Sequence, residues 1–304
     1  MIQNQFGFLD YKNSIVFENG IIEPIPKFDE NFEWIKNYLN KDGFIYPPIA
    51  MNYRIDFSSN KREEIPNTEK PALLHKIPPS HNIMIDNPIY SVEYRKWDLN
   101  FIIQMLAFIK GVRLQFAEWW FDGRVAIKNT NNLSINASTL NEFISHSYKK
   151  WRDLDEPYKK WFINILFMHN RTSVYEWDWE KFMMNYTVFD GSFKLFAAIN
   201  KIKNRIKHEE RFKVLFDFYE IPYHEEYINQ IIFLRNDLFH QTIWDGGLPT
   251  ASEDKYKGFY HEISLKNINL RIITAIIGYK TNFIKTPWWS VHRVAFDPKF
   301  YQKS

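Results

Sequence analysis

The hydrophobic period changes part-way along this chain, and that change constrains the fold more than any other feature. Up to about residue 130, apolar residues alternate in short runs punctuated by turn dipeptides; beyond Ser138 the turn signals thin out and apolar residues recur at spacings of three and four. Strand side chains alternate faces with a period of two and helix side chains return every 3.6 residues, so one stretch is written for a sheet and the other for packed helices. The expected fold class is α+β: a β-containing domain over residues 1–135 followed by an all-helical bundle over 136–304, with the change of texture falling in Lys128-Asn129-Thr130-Asn131-Asn132. A length of 304 residues fits two domains of ordinary size.

Within the first region, Ser14-Ile15-Val16-Phe17-Glu18 and Ile21-Ile22 flank Asn19-Gly20, while Trp119-Trp120-Phe121 and Arg124-Val125-Ala126-Ile127 flank Asp122-Gly123. Both dipeptides favour tight turns, so two hairpins are predicted. Residues 89–94 alternate as a further strand. Helices are expected over 32–39 and 99–110, the second ended by Gly111, and the charged, proline-bearing segment 58–79 reads as a loop. In the second region helices are predicted over 139–151, 157–168, 177–205, 223–240 and 268–283.

Composition then narrows the function classes. The net charge of +3 is too small to drive binding to nucleic acid or membrane by bulk attraction, so any such binding needs a local patch. The absence of cysteine removes disulfides, thiolate nucleophiles and sulfur-ligated zinc together. The N-terminus lacks a basic segment followed by an apolar run, and no stretch approaches 18 uncharged apolar residues, so a soluble cytoplasmic protein is expected. Aromatic residues, at 18%, are plentiful enough to fill large cores and leave rings for flat surfaces.

Most chemical signatures are missing: there is no glycine-rich phosphate loop, no GxSxG and no HExxH. His208-Glu209-Glu210 and His224-Glu225-Glu226 lack a second histidine at ligand spacing and read as solvated helix ends. Trp288-Trp289 reads as a packing anchor. The segment from Ile231 to His240 is different. Projected at about 100° per residue from Ile228, Ile231, Phe239 and Ile232 fall near 300°, 20° and 40°, and Arg235 falls near 340°, inside the apolar arc. A guanidinium there must be paired, line a cleft or face an interface, because an unpaired buried charge is too costly. His240 falls near 120° and Asn236 near 80° in the same projection, so the amide can touch and orient the imidazole. A structural arginine bonded to the end of a neighbouring helix is the other reading of Arg235, with the histidine favoured there by the helix dipole.

The run Leu234-Arg235-Asn236-Asp237-Leu238-Phe239-His240 resembles the RNxxxH motif of the HEPN superfamily of helical nucleases and nucleotide-binding modules. Glu176-Trp177-Asp178-Trp179-Glu180-Lys181-Phe182, followed by Tyr186 and Phe189-Asp190, looks like the long second helix of that superfamily, where an acidic residue often faces the motif. That helix carries an aromatic stripe at Phe182, Tyr186, Phe189, Phe193 and Phe196, expected to pack in the core. Asp190 lies off the stripe, either pairing with Arg235 or His240 or standing at the surface. Leu106 to Arg113 with Trp119 to Gly123 is similar to the β-rich domain preceding the HEPN domain in ApeA-like abortive-infection proteins.

The resemblance implies an endoribonuclease in bacterial antiphage defence, cutting RNA by attack of the ribose 2′-hydroxyl with no metal and no cofactor. It implies Arg235 as the phosphorane clamp, Asn236 as the residue fixing the ring and His240 as general acid or base, with Asp190 as a supporting acid. It also implies a homodimer that brings the motif near the two-fold axis, with a phage-derived component as trigger. Lys203, Arg205, Lys207 and Arg211, in a locally basic stretch, are candidate contacts for RNA phosphates, or else a solvated helix end. A non-catalytic HEPN-like dimerisation or ligand-binding module is the competing reading, and nucleotide handling a third.

Overall fold

The computed structural model describes residues 1–47, 53–64, 76–89, 95–119, 123–202, 205–242, 244, 261–290 and 295–296. The first strand, β1 (Ile2–Gly7), buries Ile2 and Phe6 and turns Gln3 and Gln5 outward, the alternation of a sheet with one face on a core. β2 (Ile15–Phe17) and β3 (Gly20–Pro24) form the first predicted hairpin, with Phe17 opposite Gly20. Asn19 turns the chain in the left-handed conformation, at φ 64°. Gly20 has no room for a side chain: a Cβ would stand 2.3 Å from the Phe17 ring and 2.7 Å from the Met84 carbonyl oxygen.

The chain continues through α1 (Phe28–Lys36), β4 (Phe44–Ile45), β5 (Tyr53–Asp56), β6 (Lys61–Glu64), β7 (His81–Ile85), α2 (Arg95–Lys110), β8 (Gln115–Phe116) and β9 (Val125–Ala126). A five-stranded antiparallel sheet has the order β2-β3-β7-β1-β8. Two expectations change here. The helix predicted over 32–39 starts at Phe28 and ends at Lys36. Part of the predicted loop over 58–79 is strand β6, paired with β5, and the strand β7 beyond it holds the middle of the sheet. The second arm of the second predicted hairpin is β9, which pairs with β4. Beside β9 the Arg124 guanidinium donates to the carbonyls of Val174 and Tyr175 at 3.0 and 2.6 Å, fastening the approach to that strand against the helical half. Residues 120–122 of that hairpin, and 90–94 of the strand predicted over 89–94, lie outside the described residues; Ile89 sits in a bend.

Helix α2 is buried on nearly all sides. Leu99, Phe101, Ile102, Ile103, Met105, Leu106, Ala107, Phe108 and Ile109 are closed to solvent, as befits a helix with apolar residues all round. It packs against β1 and β7 on one side and against the helices α3 (Ala137–Arg152) and α4 (Glu156–Arg171) on the other. One hydrophobic core therefore runs from the sheet through α2 into the helices. Each large apolar side chain in it contributes about 1.5–3 kcal/mol.

After α4 come α5 (Asp178–Ile199), α6 (His208–Tyr219), α7 (Glu225–Asn236) and α8 (His261–Ile277). Asn136 caps α3 by accepting from the Thr139 N–H at 2.8 Å, and Pro157 sits in the first turn of α4, where its missing N–H costs nothing. The helix predicted over 177–205 stops at Ile199, and α6, which no sequence reading placed, follows it. The last predicted helix is α8, beginning at His261 and ending at Ile277. The aromatic stripe of α5 is buried as expected, Phe189 stacking on Phe212 of α6 at 3.8 Å between ring centres. Trp288 is a packing anchor, closed to solvent and bonded through Nε1 to the Pro222 carbonyl at 2.8 Å. The protein is thus α+β, with its strands in the first part of the chain and a helical C-terminal part. Among the described residues no helix is long and apolar enough to cross a membrane.

Candidate active site

Helix α7 supplies the central residues. Ile228, Ile231, Ile232 and Leu234 bury its apolar side. Its end is not a regular α-turn: Asp237–Gln241 form a π-helical turn closed by Thr242 in the left-handed conformation, at φ 60°. In a π-turn the hydrogen bond runs from i to i+5, which widens the last turn of the helix. In a uniform helix Arg235 and His240 stand about 140° apart, within reach of a long arginine, and in the folded chain their heads meet. The Arg235 Nη1 donates to His240 Nε2 at 3.0 Å and to Asn236 Oδ1 at 2.9 Å. An N–H directed at Nε2 places the ring's own proton on Nδ1 in this arrangement. Among the described residues the Asn236 amide bonds the guanidinium rather than the imidazole, so Asn236 orients Arg235, not the ring.

Arg235 is half-buried, with its Nε enclosed and without a hydrogen-bond partner among the described residues. Its guanidinium lies 5.0 Å from the centre of the Phe239 ring and 5.7 Å from that of Tyr186. Aromatic faces attract a cation without neutralising it, so the donor groups stay available to an anion. Tyr186 is buried, and desolvation pushes its hydroxyl up to about 12.

A second cluster meets the first across Tyr186. His208 opens α6 and stacks on the Tyr186 ring, with centres 6.2 Å apart and planes 30° apart. Burial and the neighbouring Arg211 cation hold its imidazole below the usual histidine range, against the pull of Asp190. Asp190 is ion-paired with Arg211, lies 3.6 Å from His208 Nδ1 and holds Lys194 at 3.1 Å. Of the two sequence readings of Asp190, pairing with Arg235 or His240 and standing at the surface, neither describes its place: its main partner is Arg211, which arrives from α6.

An open cleft of about 810 Å³ joins the two clusters, lined by Arg205, Lys207, His208, Glu209 and Arg211 on one side and Arg235, Asn236 and His240 on the other. Four cations and one carboxylate line it, giving the local basic patch that the overall charge does not supply. Three of the four predicted phosphate contacts, Arg205, Lys207 and Arg211, are in its wall; Lys203 lies outside the described residues. His208, read from the sequence as a solvated helix end, is a wall residue too. Such a cleft can draw in a polyanion, clamp one phosphate with guanidinium groups and move protons through imidazole. Compared with protein-family models, curated proteins and solved structures, the chain matches none.

Proposed function

We propose that the protein is an endoribonuclease that cleaves RNA by attack of a ribose 2′-hydroxyl on the adjacent phosphodiester, leaving a 2′,3′-cyclic phosphate and a 5′-hydroxyl. The observation that carries this reading is the Arg235 Nη1 to His240 Nε2 contact inside a cationic cleft. A phosphate entering the cleft gives Arg235 an anion to turn towards, and its forked donors match the oxygens on which charge grows as phosphorus becomes five-coordinate. The same movement frees Nε2 of His240 to carry a proton. Asn236 holds the guanidinium through its amide oxygen during that exchange. Arg205, Lys207 and Arg211 supply charge for flanking phosphates, and the half-exposed Phe239 ring offers a face on which a base can stack. The guanidinium groups do the charge neutralisation that a cation would otherwise do, which is why we expect no metal or cofactor to be needed. Abortive infection triggered by a phage component is the setting the motif resemblance implies.

We expect the homodimer that the motif resemblance implies. Light scattering at micromolar concentration should give twice the chain mass. A strict monomer removes the dimer from this reading while leaving the cleft intact. The chemistry is tested by incubating the protein with total RNA in EDTA and analysing the new ends. Cyclic phosphate termini are expected; an absolute need for added divalent metal, or 5′-phosphate products, would contradict it.

A further inference from the structure

Cleavage through the 2′-hydroxyl moves two protons, one off the attacking oxygen and one onto the departing 5′-oxygen. His240 can serve one of them at a time. The sequence offers no second group beside it, and leaves the other transfer to a second copy of the chain. The folded chain brings another imidazole into the same cleft.

We infer that His208 is the second catalytic residue of this site, acting as general base to the general acid His240, so that one chain carries both proton-transfer groups. The inference rests on the ribonuclease reading above. His208 and His240 both line the cleft, and each stands against an arginine: Arg211 Nη1 lies 3.1 Å from His208 Nδ1, and Arg235 Nη1 lies 3.0 Å from His240 Nε2. Tyr186 spans the pair, its ring stacked on His208 and facing the Arg235 guanidinium. A phosphate clamped by these two arginines would therefore have an imidazole beside each of them.

The surroundings of His208 fit a base rather than a packing residue. Its side chain keeps 37% of its surface open, so a ribose can reach it. The groups facing it from α5 are Tyr186, Asp190 and Lys194, with Arg211 and Glu209 on its own helix and Arg235 on α7. Cations outnumber carboxylates among them, which together with burial keeps the ring neutral near pH 7 and ready to accept a proton. Asp190 stands near Nδ1, and Arg211 Nη1 also lies 3.3 Å from Nε2, so a phosphate that draws this guanidinium away opens Nε2 to the substrate. In the step itself His208 takes the 2′-hydroxyl proton as the 2′-oxygen bonds to phosphorus. The bond from phosphorus to O5′ breaks, and O5′ takes its proton from protonated His240. Exchange with water resets both rings.

A substrate whose scissile 5′-oxygen is replaced by sulfur separates the two roles, because a thiolate leaves without an acid. Wild type, His208→Asn and His240→Asn are compared on the oxygen and sulfur oligonucleotides in EDTA. On the oxygen substrate each variant should be at least about 100-fold slower than wild type. On the sulfur substrate His240→Asn should recover most of that loss and His208→Asn should recover none. The rising limb of the wild-type pH profile should vanish in His208→Asn. Wild-type rates in His208→Asn, or its rescue by sulfur, would overturn this assignment while leaving His240 in place. If wild type cuts neither substrate, the ribonuclease reading falls and this inference with it.

Discussion

Two arginines on neighbouring parts of the helical half show how differently the same side chain is used. Arg271, on α8, is 1% exposed and satisfied on all sides: Nε donates to the Thr286 carbonyl at 3.0 Å, Nη1 to the Asn267 carbonyl at 3.0 Å and Nη2 to the Thr286 hydroxyl at 2.8 Å. It fastens the segment after α8 to that helix. Burial pulls it down to about 10. Arg235 is half-buried, leaves its Nε without a hydrogen-bond partner among the described residues and spends Nη1 on a neutral amide and an imidazole. Neither of those partners offsets its charge. A structural arginine is closed by its bonds; Arg235 is held in place with charge to spare, which is the condition for binding an anion.

That contrast makes Arg271 the place where substitution should cost most. Arg271→Leu strands the Thr286 and Asn267 acceptors in the core, and urea unfolding should report a loss of about 3 kcal/mol or more. A loss below about 1 kcal/mol would erase the distinction between the two residues. The histidines divide in the same way. His81 is closed to solvent, bonded to Ser80 Oγ at 2.9 Å and the Tyr11 carbonyl at 2.7 Å, and burial pulls it down to about 4. The unfolded chain takes up that proton near pH 6.5 and the folded one resists until about pH 4. Stability from this group is therefore whole above pH 6.5 and falls as pH drops towards 4, by about 3 kcal/mol in all. Urea midpoints measured from pH 7 to 4 should show the decline, and His81→Gln should flatten it.

Arg235→Lys sits at the small end for stability, with a change under about 1 kcal/mol, because the site is partly open. Its activity should nevertheless fall by about 100-fold, since lysine keeps the charge and loses the forked geometry. Near wild-type cleavage by this variant would reduce Arg235 to a diffuse source of charge.

How much of this was legible in the sequence follows from the range of the contacts involved. The hairpin at Asn19 and Gly20 and helices α2 to α5 are local patterns, and they were readable. Strands β1 and β7 were not: the polar Gln3, Asn4 and Gln5 mask the alternation of β1, and its partner Ile85 lies far along the chain from Ile2. Arg235 and His240 were readable as a pair whose heads a long arginine can bring to one groove, and the contact between them bears that out; the π-turn itself was not, because nothing in the sequence announces it. The larger miss was α6. Without that helix neither Arg211 nor His208 had a location, so Asp190 was left between Arg235, His240 and the surface, and His208 was read as solvated.

The cleft as a ribonuclease centre is tested most directly by His240→Ala. The side chain is exposed at a helix end, so its removal should leave the unfolding curve within about 1 kcal/mol of wild type. On a defined RNA in EDTA, wild type should produce 2′,3′-cyclic phosphate ends and folded His240→Ala should produce none above background. Undiminished cleavage by folded His240→Ala would contradict the account.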